Sequence, residues 1–208
     1  MVHPASEQEN QAYSLPFRSI GKDVMIWPLA KIISPERISI GNSVIIDDFV
    51  FMMPGQSLTL GNFIHIAACT LIAGGGELIM EDFTCLSGSV KLYTGTDDFS
   101  GKCLTNSAVP APYRQPIRSF VHIKRHAIVG SNTVVLPGVT IGEGAAIGAG
   151  SVVLKDCEPW TIYAGSPAKQ LKPRPKEKIE QLERDLRRVA FNDAGEYISE
   201  NERAQTGS

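Results

Sequence analysis

Between Ile20 and Val153 an aliphatic residue returns every six positions, most cleanly at Ile123, Val129, Val135, Ile141, Ile147 and Val153. A period of six fits neither the 3.6-residue face of a helix nor the two-residue alternation of an ordinary strand. Small residues follow four positions later at Ala127, Thr133, Ala145 and Ser151, and glycine follows directly at Gly130, Gly142 and Gly148. Upstream the beat continues as Ile20, Ile26, Ile32, then Ile40, Ile46, Met52, then Leu60, Ile66, Ile72, and then Met80, Leu86, Leu92. Each of the first three groups begins twenty residues before the next, as if two residues were added at one corner. Three six-residue sides make one triangular coil, and six such coils stack. The aliphatics point inward and the small residues ease the corners. Neighbouring coils pair their backbones at a spacing of ~4.8 Å. A β-sandwich is the competing architecture, but alternation of period two would not hold the six-residue phase.

The beat is interrupted between Leu92 and Ile123, in a stretch containing Pro110, Pro112 and Pro116. A long excursion inside a compact domain is usually functional or disordered, and placement between two coils favours function. After Lys172 a helical pattern begins at Pro175 with Ile179, Leu182, Leu186 and Val189 on one face. Glu177 and Glu180 near its start and Arg187 and Arg188 near its end suit the helix dipole. The expected organisation is an N-terminal segment 1–19, a β-helix 20–172 with its excursion at 95–120, a helix 173–191 that caps the open last coil, and a loose tail 192–208.

Twenty Lys+Arg against 22 Asp+Glu give a net charge of −2, without the basic excess of a nucleic-acid binder. Met1 to Asn10 is polar and carries two glutamates, and no apolar stretch is long enough to cross a bilayer. A cytoplasmic protein without membrane insertion is expected. Cys69, Cys85, Cys103 and Cys157 have neither CxxC spacing nor the density of a disulfide scaffold, and are read as reduced thiols.

The segment Val121–Lys172, with VVLPGVTIGEGAAIGAGSVVLKD and YAGSPAK, resembles the hexapeptide-repeat acetyltransferases, among them the maltose, galactoside and serine O-acetyltransferases and the nucleotide-amino-sugar N-acetyltransferases. The likeness runs from about Ile20 to Lys172. It implies an all-β, left-handed parallel β-helix. Handedness comes from the resemblance alone, since parallel crossovers are ordinarily right-handed. It further implies a homotrimer with acyl-CoA, here acetyl-CoA, in grooves between subunits, reached by the long loop of one chain. An apolar outward stripe of Met25, Ile45, Ile128, Val134 and Val152 agrees with such burial.

By the same resemblance, the Ser131 N–H faces the thioester oxygen and would stabilise the oxyanion. Ala149, Lys155 and the turn containing Gly165, Ser166 and Lys169 line CoA, with Lys169, Lys172 and Arg174 placed to meet its phosphates. Maltose and galactoside enzymes carry a catalytic histidine in the loop. Here Asp97 stands in its place, followed by Asp98. Stacking the coils sets His65 outward beside Cys85, at the place of a sugar-contacting tyrosine in the galactoside enzyme. His65 and Asp97 are therefore the candidate catalytic pair, and Asp98 and Cys85 candidate acceptor contacts. Cys85 as a thiol nucleophile is the lesser reading, and His122, His126 and His3 are weak candidates.

The expected reaction is acyl transfer from CoA to a sugar. The acceptor expected is the amine of a nucleotide-linked deoxyamino sugar for surface polysaccharide (O-antigen, lipopolysaccharide) synthesis, with a sugar hydroxyl as the alternative. No metal is expected. A zinc lyase of the γ-carbonic anhydrase type would need three converging histidines, which His65, His122 and His126 do not form in sequence register. A non-catalytic scaffold is the remaining alternative.

Overall fold

The computed structural model describes residues 10–206, so His3 and the first nine residues, on which the reading of the N-terminus mostly rests, lie outside the described residues. Three parallel sheets form the walls of a prism. The first contains Ser19–Ile20, Ile38–Ile40, Ser57–Leu60, Glu77–Met80, Phe120–Ile123 and Val139–Ile141. The second contains Val24–Ile26, Val44–Ile46, Ile64–Ile66, Cys85–Leu86, Ile128–Val129, Ala146–Ile147 and Thr161–Ala164, and is closed by antiparallel Lys169–Pro173. The third contains Lys31–Ile32, Phe51–Met52, Leu71–Ala73, Lys91–Tyr93, Val134–Val135 and Val152–Val153.

The six-residue beat is the register of these sheets. Ile26, Ile46, Ile66, Leu86, Val129 and Ile147 stack in one ladder of the second sheet. Ile40, Leu60, Met80, Ile123 and Ile141 stack in the first, and Met52, Ile72, Leu92, Val135 and Val153 in the third, all nearly fully buried. Such burial stabilises by roughly 1.5–3 kcal/mol per large aliphatic side chain. Ala127, Thr133, Ala145 and Ser151 are buried at the corners, where a larger side chain would overpack the prism.

The extra residues of the early coils lie between the third and first sheets, at Ile33–Arg37, Met53–Gln56 and Gly74–Gly76. The triple glycine there has a steric reason. A Cβ on Gly76 would run into the Ser119 carbonyl and one on Gly74 into the backbone of Thr94 and Gly95, because the base of the excursion packs directly on this turn.

At the corner between the first and second sheets the chain turns through left-handed residues at Asp23, Ser43, Phe63, Phe83, His126, Gly144 and Trp160. Their side chains stack down the outside. Phe63 lies on Phe83 at 4.8 Å, Phe83 on His126 at 5.0 Å, and His126 is 6.0 Å from Trp160. Below them, the amide of Asn42 donates to Asn62 and that of Asn62 to Asp82, a polar ladder joining three coils.

The C-terminal segment departs from expectation here. Helix α1, Glu177–Ala190, does not cap the last coil; it runs back along this corner toward earlier coils. Glu183 meets His126 and Arg125 on the fifth coil, Arg187 meets Asp82 on the fourth, and Phe191 packs against Phe63 on the third. Along the stacked rings α1 docks through Glu183 and Arg187, leaving Leu182 and Val189 more than half exposed. The expected loose tail is also ordered through residue 206. The Tyr197 hydroxyl donates to Asp23 at 2.9 Å, and Lys22 pairs with Glu202 of helix α2, Glu200–Thr206.

Candidate active site

Two groups of residues line the second sheet. At the corner between the second and third sheets, Ala68, Gly88, Ser131 and Ala149 occupy successive coils. The carbonyls of Ala68, Gly88 and Ser131 accept from Ser89, Asn132 and Gly150. The N–H groups of all four have no acceptor among the described residues. Each therefore offers a fixed donor to a molecule lying along the corner. Ser131 belongs to this column, which the sequence alone did not reveal as a repeated feature of the coil.

The YAGSPAK turn joins the same end. Gly165 N–H donates to Ser151 Oγ at 3.2 Å, its carbonyl accepts from Val152, and Ala168 N–H bonds back to the Val152 carbonyl. Ser131, Ala149, Gly165 and Ser166 are thus brought along one line, with Lys169 and Lys172 on the exposed strand that follows. Lys155 is exposed beyond the third sheet. Arg174 is turned toward the prism through Nη1. Its guanidinium donates to the His126 and Gly144 carbonyls at 3.0 and 2.9 Å, and burial lowers its pKa.

The second group lies on coils two to four. His65 stands outward between Ile45 and Cys85 in register. Its Nε2 is 3.1 Å from Oδ2 of Asp47. Asp47 was missed by sequence reasoning, although the twenty-residue register stacks it on Ala67, two positions past His65. Cys85 is half-buried, and burial together with Asp47 raises its thiol pKa. A thiol held protonated is a poor nucleophile, which disfavours the ping-pong route. Ser87 follows Cys85 at the edge of the same strand, and its N–H is bonded to the Val129 carbonyl.

The loop residues divide. Asp97 accepts the Asn106 N–H at 3.1 Å through Oδ2, and Oδ1 accepts no hydrogen bond among the described residues. Asp98 receives the Ser100 N–H and hydroxyl on Oδ1 and the Lys102 and Cys103 N–H groups on Oδ2. These bonds, led by Ser100, hold its carboxyl well below the usual range. Asp98 therefore organises the loop, and its lone pairs are not left for an acceptor. No hydrogen bond joins Asp97 to His65 within one chain.

The other two histidines among the described residues have local partners. His122 Nε2 is 2.7 Å from Glu81, and His126 Nε2 is 2.6 Å from Glu183, beneath α1. Among the described residues no three His, Cys, Asp or Glu side chains are grouped to hold a metal.

Residues 120–155, the last two full coils, match the family model "Bacterial transferase hexapeptide (six repeats)". The chain is also 38% identical over 186 residues to the dTDP-4-amino-4,6-dideoxy-D-glucose acyltransferase of Escherichia coli, covering 89% of this chain and 96% of that one. It belongs to the hexapeptide-repeat acyltransferases. AntD, an N-acyltransferase from Bacillus cereus solved with dTDP and 3-hydroxybutyryl-CoA, superposes with a TM-score of 0.81 at 38% identity, over 89% of this chain and 97% of that one. A probable macrolide acetyltransferase of Lysinibacillus sphaericus is 39% identical over 149 residues, 71% of this chain and 76% of the other. Within this hexapeptide-repeat acyltransferase the three-sheet prism is the family scaffold, and the excursion and the Asp47–His65 pair are built upon it.

Proposed function

We propose that this acyltransferase transfers an acyl group from CoA to the amine of a dTDP-linked 4-amino-4,6-dideoxyhexose, a precursor of surface polysaccharide. The observation that carries the reading is the near full-length likeness to an enzyme named for that sugar. Asp97 in place of the loop histidine agrees with it: an unprotonated amine is already nucleophilic, whereas a hydroxyl needs a base in the transition state.

In the proposed reaction Asp97 and the Ser87 hydroxyl hold the incoming amine. AntD has been solved in variants at a serine and at an aspartate ten residues further on, and Ser87 with Asp97 is the sole Ser–Asp pair of that spacing in this chain. His65, with Nε2–H turned to Asp47, offers Nδ1 to receive the ammonium proton. The nitrogen attacks the thioester carbonyl, the Ser131 N–H stabilises the oxyanion, and collapse forms the amide as the C–S bond breaks. The thiolate of CoA takes the proton released by the amine.

The site is completed by symmetry in this reading. Ile45 and Ile128 are 44% and 37% exposed in the single chain, a price usually avoided on a wet face, and a homotrimer would cover them and carry Asp97 of one subunit toward His65 of the next. No helix among the described residues is long and apolar enough to cross a membrane.

The test is mass spectrometry of products from dTDP-4-amino-4,6-dideoxyglucose and from its 4-hydroxy counterpart, each with acetyl-CoA and 3-hydroxybutyryl-CoA. Acylation of the amino sugar alone is expected. Exclusive acylation of the hydroxy sugar would replace this reading with O-acyl transfer.

A further inference from the structure

The excursion folds on itself in a way that engages Asp98 and leaves its bases without partners. Gly95–Thr96 pairs antiparallel with Ile117–Arg118 and closes the base. Higher up, Leu104 N–H bonds to the Tyr113 carbonyl at 2.9 Å, and Gln115 N–H donates to the Cys103 sulfur at 3.2 Å. Asp97 and Asp98 both spend oxygens on loop N–H groups. The excursion contains three cations, Lys102, Arg114 and Arg118, and none of them makes a side-chain hydrogen bond or ion pair among the described residues.

Between the two arms lies an open cleft of about 600 Å³, walled by Gly101–Leu104 on one side and Pro112–Gln115 on the other. No acidic side chain lines it. Nε of Arg114 is buried there without a partner, while the Tyr113 ring at its edge is 63% exposed. The Arg114 guanidinium makes no ion pair, and an unpaired guanidinium lining an open cleft is a charge-assisted donor for an anion. Two cations and an exposed aromatic residue in one lining are the donor set for a phosphate carried on a stackable base.

We propose that this cleft binds the nucleoside diphosphate portion of the acceptor, with Arg114 and Lys102 on the diphosphate and Tyr113 against the base. The proposal rests on the reading of the acceptor as a nucleotide sugar, and assigns its recognition to the excursion and not to the prism. The excursion would thereby act as the specificity element, while the coils hold the donor.

The experiment uses the full chain and measures binding of dTDP by calorimetry, KM for dTDP-4-amino-4,6-dideoxyglucose, KM for acetyl-CoA, and solution mass. Arg114→Ala and Lys102→Ala should each weaken dTDP about tenfold to a hundredfold, as loss of a charge-assisted hydrogen bond does. KM for acetyl-CoA and the solution mass should stay at wild-type values. Tyr113→Ala should weaken dTDP and Tyr113→Phe should restore it. Wild-type dTDP affinity in Arg114→Ala and Lys102→Ala would overturn the cleft assignment while leaving the acceptor reading intact. A change in solution mass with no change in dTDP affinity would overturn it in favour of a subunit contact. If the wild-type chain neither binds dTDP nor acylates the amino sugar, the acceptor reading itself falls, and the cleft assignment with it.

Discussion

Nε2 of His65 lies 3.1 Å from Oδ2 of Asp47, across two successive coils of the second sheet. The register that stacks inward aliphatics also sets these outward side chains together, so the scaffold orients the imidazole without a loop. If His65 takes the amine proton, His65→Ala should lower kcat by about 10²–10⁴-fold. Asp47→Asn should lower kcat by about tenfold with KM little changed, and Asp47→Glu should restore part of it. Steady-state kinetics of the three variants with the amino sugar checks the order. A full rate in His65→Ala at neutral pH would remove His65 from the reaction.

Ile128 sits outward on the fifth coil, in register with Cys85. In the proposed trimer, Ile128→Glu would place an unpaired charge in a desolvated interface, and it should yield single chains that no longer bind CoA. Light scattering with a CoA-binding assay decides it. A stable wild-type monomer with full activity would refute the assembly.

Glu183 lies on the buried face of α1, where it accepts from Arg187 and pairs with His126 and Arg125. Burial pushes its pKa up, but the Arg187 and His126 hydrogen bonds and Arg125 outweigh this, and the net shift is downward from 4.5. Its contribution to stability is therefore complete above about pH 4.5 and is lost as pH falls through the lower folded value. Glu183→Ala should cost about 3 kcal/mol, since it strands buried partners. Thermal unfolding of wild type and variant from neutral to acid pH should show the difference shrinking at the acid end.

Gly144 turns its corner at φ +64°, and a Cβ there would run into the Trp160 ring. Gly144→Ala should destabilise by roughly 1–3 kcal/mol through strain and overpacking. Differential scanning calorimetry, with Gly150→Ala as a left-handed control whose Cβ would meet nothing within 4 Å, separates the clash from the backbone term.

Replacing the excursion above its base by a short Gly-Ser bridge should leave the prism, its assembly and CoA affinity nearly intact and eliminate transfer. The hexads continue in register across it, from Leu86 to Val129 and from Leu92 to Val135, so the coils do not depend on it. Unchanged transfer would reduce the loop to decoration.

The prism was legible in the sequence because each inward position repeats one physical requirement, an aliphatic side chain at a fixed phase, through six coils. The same register sets His65 beside Cys85. The column containing Ser131 followed only in part, since unpaired N–H groups at a corner leave no mark on residue type. The path of α1 was not legible. Its aliphatic pattern pointed Leu182, Leu186 and Val189 inward, yet Glu183 and Ala190 are the buried residues. What decided this was the aromatic corner of Phe63, Phe83, His126 and Trp160, assembled from four different coils. A local pattern specifies which side of a helix is apolar, whereas the docking surface is a property of residues that become neighbours only when the coils stack. The same reason hid the pairing of Asp47 with His65. The period of the chain determined the scaffold, and tertiary contacts among non-repeating side chains determined what the scaffold presents.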